Sequence, residues 1–151
     1  MCVHDPFDDP VMGSVTFYEK VNEWEFCIAI ADKEVRGNIV PENHHRPLEE
    51  QGLNEIRESV AWIRDNEPSI RQYITTEMFE GWLSGWYDEE IDVVTTPEGF
   101  REAISLSGFS VLEDRVTSLL YYDDGGLFGG HSIVLSVGAG GRYEYPPNIW
   151  G

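Results

Sequence analysis

YYDDGGLFGGHSIVLSVG, residues 121–138, sets two strand-like runs around a segment with two aspartates, four glycines and one histidine. Aspartate tolerates unusual dihedrals and glycine supplies positive φ, so Asp123-Asp124-Gly125-Gly126 predicts a turn closing an antiparallel pair. Gly129 and Gly130, just ahead of the second run, predict a bulge or a close backbone approach. His131 shares strand parity with Ile133, Leu135 and Val137, so regular pairing places it on the apolar face as a hydrogen-bonded core residue. The same residues admit a chemical reading. Asp123 and Asp124 with His131 could serve a divalent cation or an acid–base pair, which would make the chain a small metal-dependent hydrolase. The turn reading is preferred, because a metal site needs three or four convergent ligands and no second cluster has matching spacing. No metal and no cofactor is expected. The glycines lack the Lys-Ser/Thr of a phosphate loop, and no helix follows them.

Outward from this hairpin, strand signals gather at both ends of the chain. Near the N-terminus, SVTFYEK and EWEFCIAIAD read as strands joined through Val21 and Asn22. In the second, Trp24, Phe26, Ile28 and Ile30 share one face and Glu25, Cys27, Ala29 and Ala31 the other. A turn at Asp32 and Lys33 leads to a third strand, EVRGNIV. PENHHRP (41–47) is a proline-bounded loop. From Leu48 the period becomes helical, with Leu53, Ile56, Val60 and Ile63 on one stripe. Pro68 in DNEPS predicts a break, since proline disfavours helical geometry at Glu67. A second helix from Ser69 would carry Ile70, Tyr73, Ile74, Met78, Phe79, Trp82 and Trp86. TTPEGF starts a short third helix, with Thr96 as cap, Pro97 in the first turn, and Phe100, Ala103 and Ile104 facing the core. Strands follow at about 109–122, with a turn at Glu113 and Asp114, and at 131–137; RYEYPPNIWG is extended.

This order predicts an α+β fold: an antiparallel sheet built from N-terminal and C-terminal strands, packed against two to three central helices. The 151 residues suit one domain over 1–151, with 1–12 an extended lead-in. Hydrophobic residues at 41% and aromatics at 13% belong to a folded chain.

Charge bounds the partners. Lys and Arg number 10 against 28 Asp and Glu, a net −18. Such a surface repels nucleic-acid backbones and anionic membranes and attracts a basic protein. Two cysteines, Cys2 and Cys27, make no disulfide framework and suit a reducing compartment. With no signal-like N-terminus and no apolar run of membrane length, a cytoplasmic protein is expected. Cys2-Val3-His4, once Met1 is removed, could chelate copper or nickel through terminal nitrogens, a common artefact of free termini. His44 and His45, adjacent in a loop, should point apart, with one near Glu42 or Glu49. No thiol or serine nucleophile motif occurs.

EGWLSGWYDEEID (80–92) is the better candidate surface. Trp82 continues the core stripe. Trp86, Tyr87, Asp88, Glu89, Glu90 and Asp92 combine rings that anchor in pockets with carboxylates that pair with Lys or Arg.

Four stretches together resemble a bacterial family, domain of unknown function 2262: DPVMGSVTFYEKVNEWEF, the central helices, TTPEGFREAISLSGFSV, and LLYYDDGGLFGGHSIVLSV. The family pattern runs strand, acidic turn, Leu-Phe-x-Gly-His, strand, and Leu127, Phe128, Gly130 and His131 match it. An aromatic often stands where this chain has Gly129. The resemblance implies the same fold and no particular chemistry. By analogy of fold and composition, such small acidic domains are similar to immunity proteins that neutralise bacterial toxins. The leading expectation is therefore a non-enzymatic, immunity-type inhibitor of a basic toxin; a regulatory adaptor or the His131 hydrolase are the alternatives.

Overall fold

The computed structural model describes residues 3–114 and 117–151. Among them, strict alternation builds a sheet from both ends of the chain. β1 (Phe7–Asp9), β2 (Gly13–Tyr18), β3 (Glu23–Ile30) and β4 (Lys33–Val40) form an antiparallel meander. Trp24, Phe26, Ile28 and Ile30 point from β3 into the core, as their spacing predicts. The β3–β4 turn falls on Ala31 and Asp32, one residue earlier than expected, because both take positive φ (50° and 61°) and Ile30 pairs with Lys33. That two-residue geometry matches the twist of the flanking strands. Phe7–Asp9, inside the lead-in, pairs with β2, and Met12 is fully buried.

β5 (Ser105–Leu112), β6 (Thr117–Asp123) and β7 (Ser132–Gly138) complete the sheet centre. β5 begins before Gly108, earlier than expected, and a register shift between Leu106 and Gly108 hides its alternation. β4 and β5 are parallel, so the sheet is mostly rather than wholly antiparallel. Both helices lie in the connection between them, a crossover that brings the chain back to enter the sheet in the same direction. β8 (Arg142–Tyr143) and β9 (Asn148–Trp150) share the outer edge of β7, separated by Pro146 and Pro147. Short strands and prolines blunt an edge against pairing with other chains.

Two helices cover one face. α1 runs unbroken from Glu50 to Gly85 with Pro68 inside it, which overturns the expected break. The buried stripe Leu53, Ile56, Val60, Ile63, Glu67, Ile70, Ile74, Phe79 and Trp82 stays in helical phase across the proline. Glu67 disguises that continuity by putting a carboxylate at a core position. It accepts from Arg71 Nη2 at 3.0 Å and from the buried Tyr122 hydroxyl at 3.2 Å. Burial, together with the Glu67 carboxylate, pushes the Tyr122 phenol well above its ordinary range, so it remains a donor. Burial along the stripe outweighs the local proline cost of about 3 kcal/mol. α2 (Pro97–Ala103) is capped as read, with Thr96 Oγ1 accepting from Gly99 N at 3.1 Å.

Asp9 fastens the β1 edge to α1. Its buried carboxylate accepts from Val11 N at 2.9 Å, Met12 N at 3.0 Å and Arg57 Nε. Burial pushes its pKa up, but those hydrogen bonds and the Arg57 charge prevail and hold it below the usual carboxylate range. A lowered folded pKa contributes stability above the unfolded value of about 3.9, lost as pH falls through the folded one. Asp9→Asn should lower stability at neutral pH and flatten its fall below about pH 4 in urea unfolding. A second expectation comes from exposed Pro68. Pro68→Ala restores a helix hydrogen bond and removes a clash, and should stabilise by about 1–3 kcal/mol. At the start of a separate helix the same change would be close to neutral.

Candidate functional site

The loop between β6 and β7 is organised by one carboxylate. Asp124 is 3% exposed. Its Oδ1 accepts from Gly126 N at 2.9 Å, and its Oδ2 from Phe128 N at 2.9 Å and from Gly130 N and His131 N at 3.0 Å. Four amides that would otherwise be stranded in a curled loop are thus satisfied by one ion. Asp123 Oδ1 accepts from Gly125 N at 2.8 Å. Gly125 lies so close to the end of α2 that a Cβ there would come 2.3 Å from Ala103 O. These carboxylates face backbone donors, and among the described residues no three His, Cys, Asp or Glu gather as a metal set.

His131 lies one residue ahead of β7, outside the ladder, whose terminal pair is Asp123 and Ser132. It is half-buried rather than on the apolar face, because Gly129 and Gly130, at φ 72° and 85°, turn the chain before pairing begins. Its Nδ1 is hydrogen-bonded to the Phe128 carbonyl. A carbonyl only accepts, so Nδ1 carries the hydrogen.

This loop meets the end of α1. Trp82, fully buried, donates Nε1–H to Leu127 O at 2.8 Å. One turn on, Trp86 sets its ring edge-on to Phe128 (centroids 5.3 Å) and to His131 (6.1 Å). The Leu-Phe-x-Gly-His segment and the acidic-aromatic segment, far apart in sequence, are therefore one surface.

Trp86 is 47% exposed, and beyond it Ile91 and Val93 are 77% and 93% exposed. Tyr87 is half-buried against Trp82, at 5.6 Å, and so supports the surface more than it presents it. Residues 88–92 form a compact turn: Asp92 Oδ2 accepts from Asp88 N at 2.8 Å and Asp88 Oδ1 from Glu90 N at 2.9 Å. Among the described residues no basic side chain pairs with Asp88, Glu89, Glu90 or Asp92. They follow the C-terminus of α1, whose last turn holds no basic residue. Helix dipole and carboxylates are thus negative at the same place. Ile91 and Val93 are not among the candidates named from sequence; their signal is two apolar residues set within and directly after the acid run 88–92.

The other candidates fall elsewhere. His44 and His45 bring their rings within 4.0 Å instead of diverging, because the loop turns at Asn43, whose Oδ1 accepts from His45 N. Neither histidine makes an ion pair with Glu42 or Glu49. Cys2 lies outside the described residues. His4 stacks on Phe17 at 3.6 Å, with its Nε2 hydrogen-bonded to His44 O. Cys27 is a free, exposed thiol. Among the described residues no helix is long and apolar enough to cross a membrane.

Fold and site together define an acidic α+β protein with an aromatic surface beside a carboxylate-organised loop. The profile of the uncharacterized bacterial family DUF2262 matches residues 9–144, and the chain belongs to that family. No curated protein and no solved structure matches it.

The loop geometry assigns different weights to its two polar residues. Asp124→Asn turns one of two acceptor oxygens into a donor facing amides, and should destabilise by about 3 kcal/mol. His131→Ala loses one hydrogen bond at a half-buried site and should cost about 1–2 kcal/mol. Urea unfolding of both variants checks the ranking; a larger loss for His131→Ala would show that the ring, not the carboxylate, holds the loop.

Proposed function

We propose that the protein is a non-enzymatic binding protein of the immunity type, which neutralises a basic bacterial toxin in the cytoplasm through the surface around Trp86. The observation that carries this reading is a half-exposed tryptophan, braced by Phe128 and His131, beside four carboxylates with no basic partner among the described residues. A chain selected for stability alone favours cations after a helix C-terminus, where this one has acids. Aromatic anchors supply affinity once buried, and unpaired charge speeds the encounter with a partner of opposite sign. Asp123 and Asp124 serve the loop backbone, which supports a binding role over the hydrolase reading.

The test begins with affinity capture from the host and identification of a basic partner whose toxicity co-expression relieves. Kinetics with the purified pair then examine the face. Glu89→Gln with Glu90→Gln removes charge without touching the hydrogen bonds of the turn. It should slow association and weaken its salt dependence, since screening acts over about 10 Å at 0.1 M salt. Trp86→Ala should mainly raise the dissociation rate, by roughly 30-fold for an anchor worth about 2 kcal/mol. Unchanged rates in both variants would place the contact on another face.

A further inference from the structure

We propose that a cavity at the opposite end of α1 binds an aliphatic cation, an ammonium or guanidinium group carried on a short methylene stem. The cavity lies between the first half of α1 and the end of the sheet where β7 turns into β8. Its volume is about 380 Å³, within the range of small-ligand sites.

Each wall suits one part of such a ligand. Ile63 from α1 and Val137 from β7 are buried apolar residues that line the cavity and suit a methylene stem. Trp62 forms the aromatic wall, and a cation over an indole face is attracted by the ring quadrupole. That indole is held in place. It meets Tyr143 edge-on at 6.4 Å, and Tyr143 stacks on Tyr73 at 3.9 Å. It also presses on Gly141, where a Cβ would come 2.3 Å from Trp62 Cε2. Gly141, at φ 80°, lets the turn backbone close against the ring.

The polar groups point the same way. Ser118 lines the cavity and is only 2% exposed. It shares strand parity with the inward-facing Leu120 and Tyr122, so its hydroxyl projects toward α1. That hydroxyl makes no hydrogen bond to another described residue. The hydroxyl therefore opens to the cavity, where it can accept from the N–H of an ammonium or guanidinium group. Glu55 and Glu58, exposed and three residues apart on α1, complete the lining, and no basic side chain of the described residues pairs with either. An anion would be repelled here, and a neutral apolar ligand would leave the carboxylates unused. An alkyl cation satisfies ring, stem-lining residues, hydroxyl and carboxylates together.

The ligand could come as a free diamine or as a lysine side chain of a partner, and two probes separate these sources. Cadaverine and a lysine blocked at both backbone ends are titrated against the full chain, with 1-pentanol as the neutral control. The readout is the Trp62 indole N–H resonance, assigned with Trp62→Phe. Both cations should move it with affinities on the order of millimolar, and the alcohol should leave it in place. Similar affinities indicate a protein side chain; much tighter binding of cadaverine indicates a free diamine, and either result supports the site. Glu55→Gln with Glu58→Gln should weaken binding by about tenfold, because it removes the charge and keeps the exposed helix surface. Glu89→Gln with Glu90→Gln should leave binding unchanged, which separates this site from the Trp86 surface. An unmoved resonance with both cations, equal binding of the alcohol, or full affinity in the Glu55/Glu58 variant would overturn the proposal.

Discussion

The hydrogen bond from the Trp82 indole to the Leu127 carbonyl is the constraint on which the site end of the molecule depends. A buried indole N–H needs an acceptor, and the core around it is aromatic: Phe79, Phe100 and Tyr87 all lie within ring contact. The acceptor comes from the Gly-rich loop, which can offer it because Asp124 holds that loop curled. Helix end, loop and α2 are thereby positioned by one another. With Trp82 pinned inward, Trp86, one turn later, must lie over Phe128 and His131 near solvent. The exposed ring is a consequence of the buried one.

A second dependence runs along α1. The helix of 36 residues acts as one body because its buried stripe passes Pro68 in phase. Glu67 could have broken that stripe. A buried carboxylate is costly unless paired and hydrogen-bonded, and Arg71 and Tyr122 supply both conditions. One continuous helix also separates the two acidic regions. From Ser59, beside the Trp62 cavity, to Trp86 is about 40 Å at a rise of 1.5 Å per residue.

The distribution of charge follows from the same economy of cations. Only 10 residues are Lys or Arg, and two of the arginines serve buried acids, Arg57 on Asp9 and Arg71 on Glu67. Basic groups are thus committed where an unpaired carboxylate would be most costly. Among the described residues the acids near Trp86 and Trp62 face solvent without basic partners, and the proposed cationic ligands of both regions rest on that arrangement.

Local pattern by itself determined much of this molecule. Period-2 alternation in β3, helical spacing from Leu53 to Ile63, the Thr96-Pro97 start and the Asp-Gly turn are short-range signals, set by backbone sterics and by which side chains avoid water. They carried the α+β class, the inward face of β3 and the turn character of 123–126. Tertiary structure decided what local rules leave open. Pro68 stays helical because distant residues bury both halves of one stripe. The alternation of β5 is hidden by a register shift that only its pairing with β6 reveals. His131 leaves the ladder because two glycines and the Asp124 carboxylate redirect the chain first. Trp86 meets the Leu-Phe-x-Gly-His segment across some forty residues of sequence, and no local signal carries that contact. Packing free energy is shared over the whole core, so it can override a local preference worth a few kcal/mol, and a sequence pattern records only the preference.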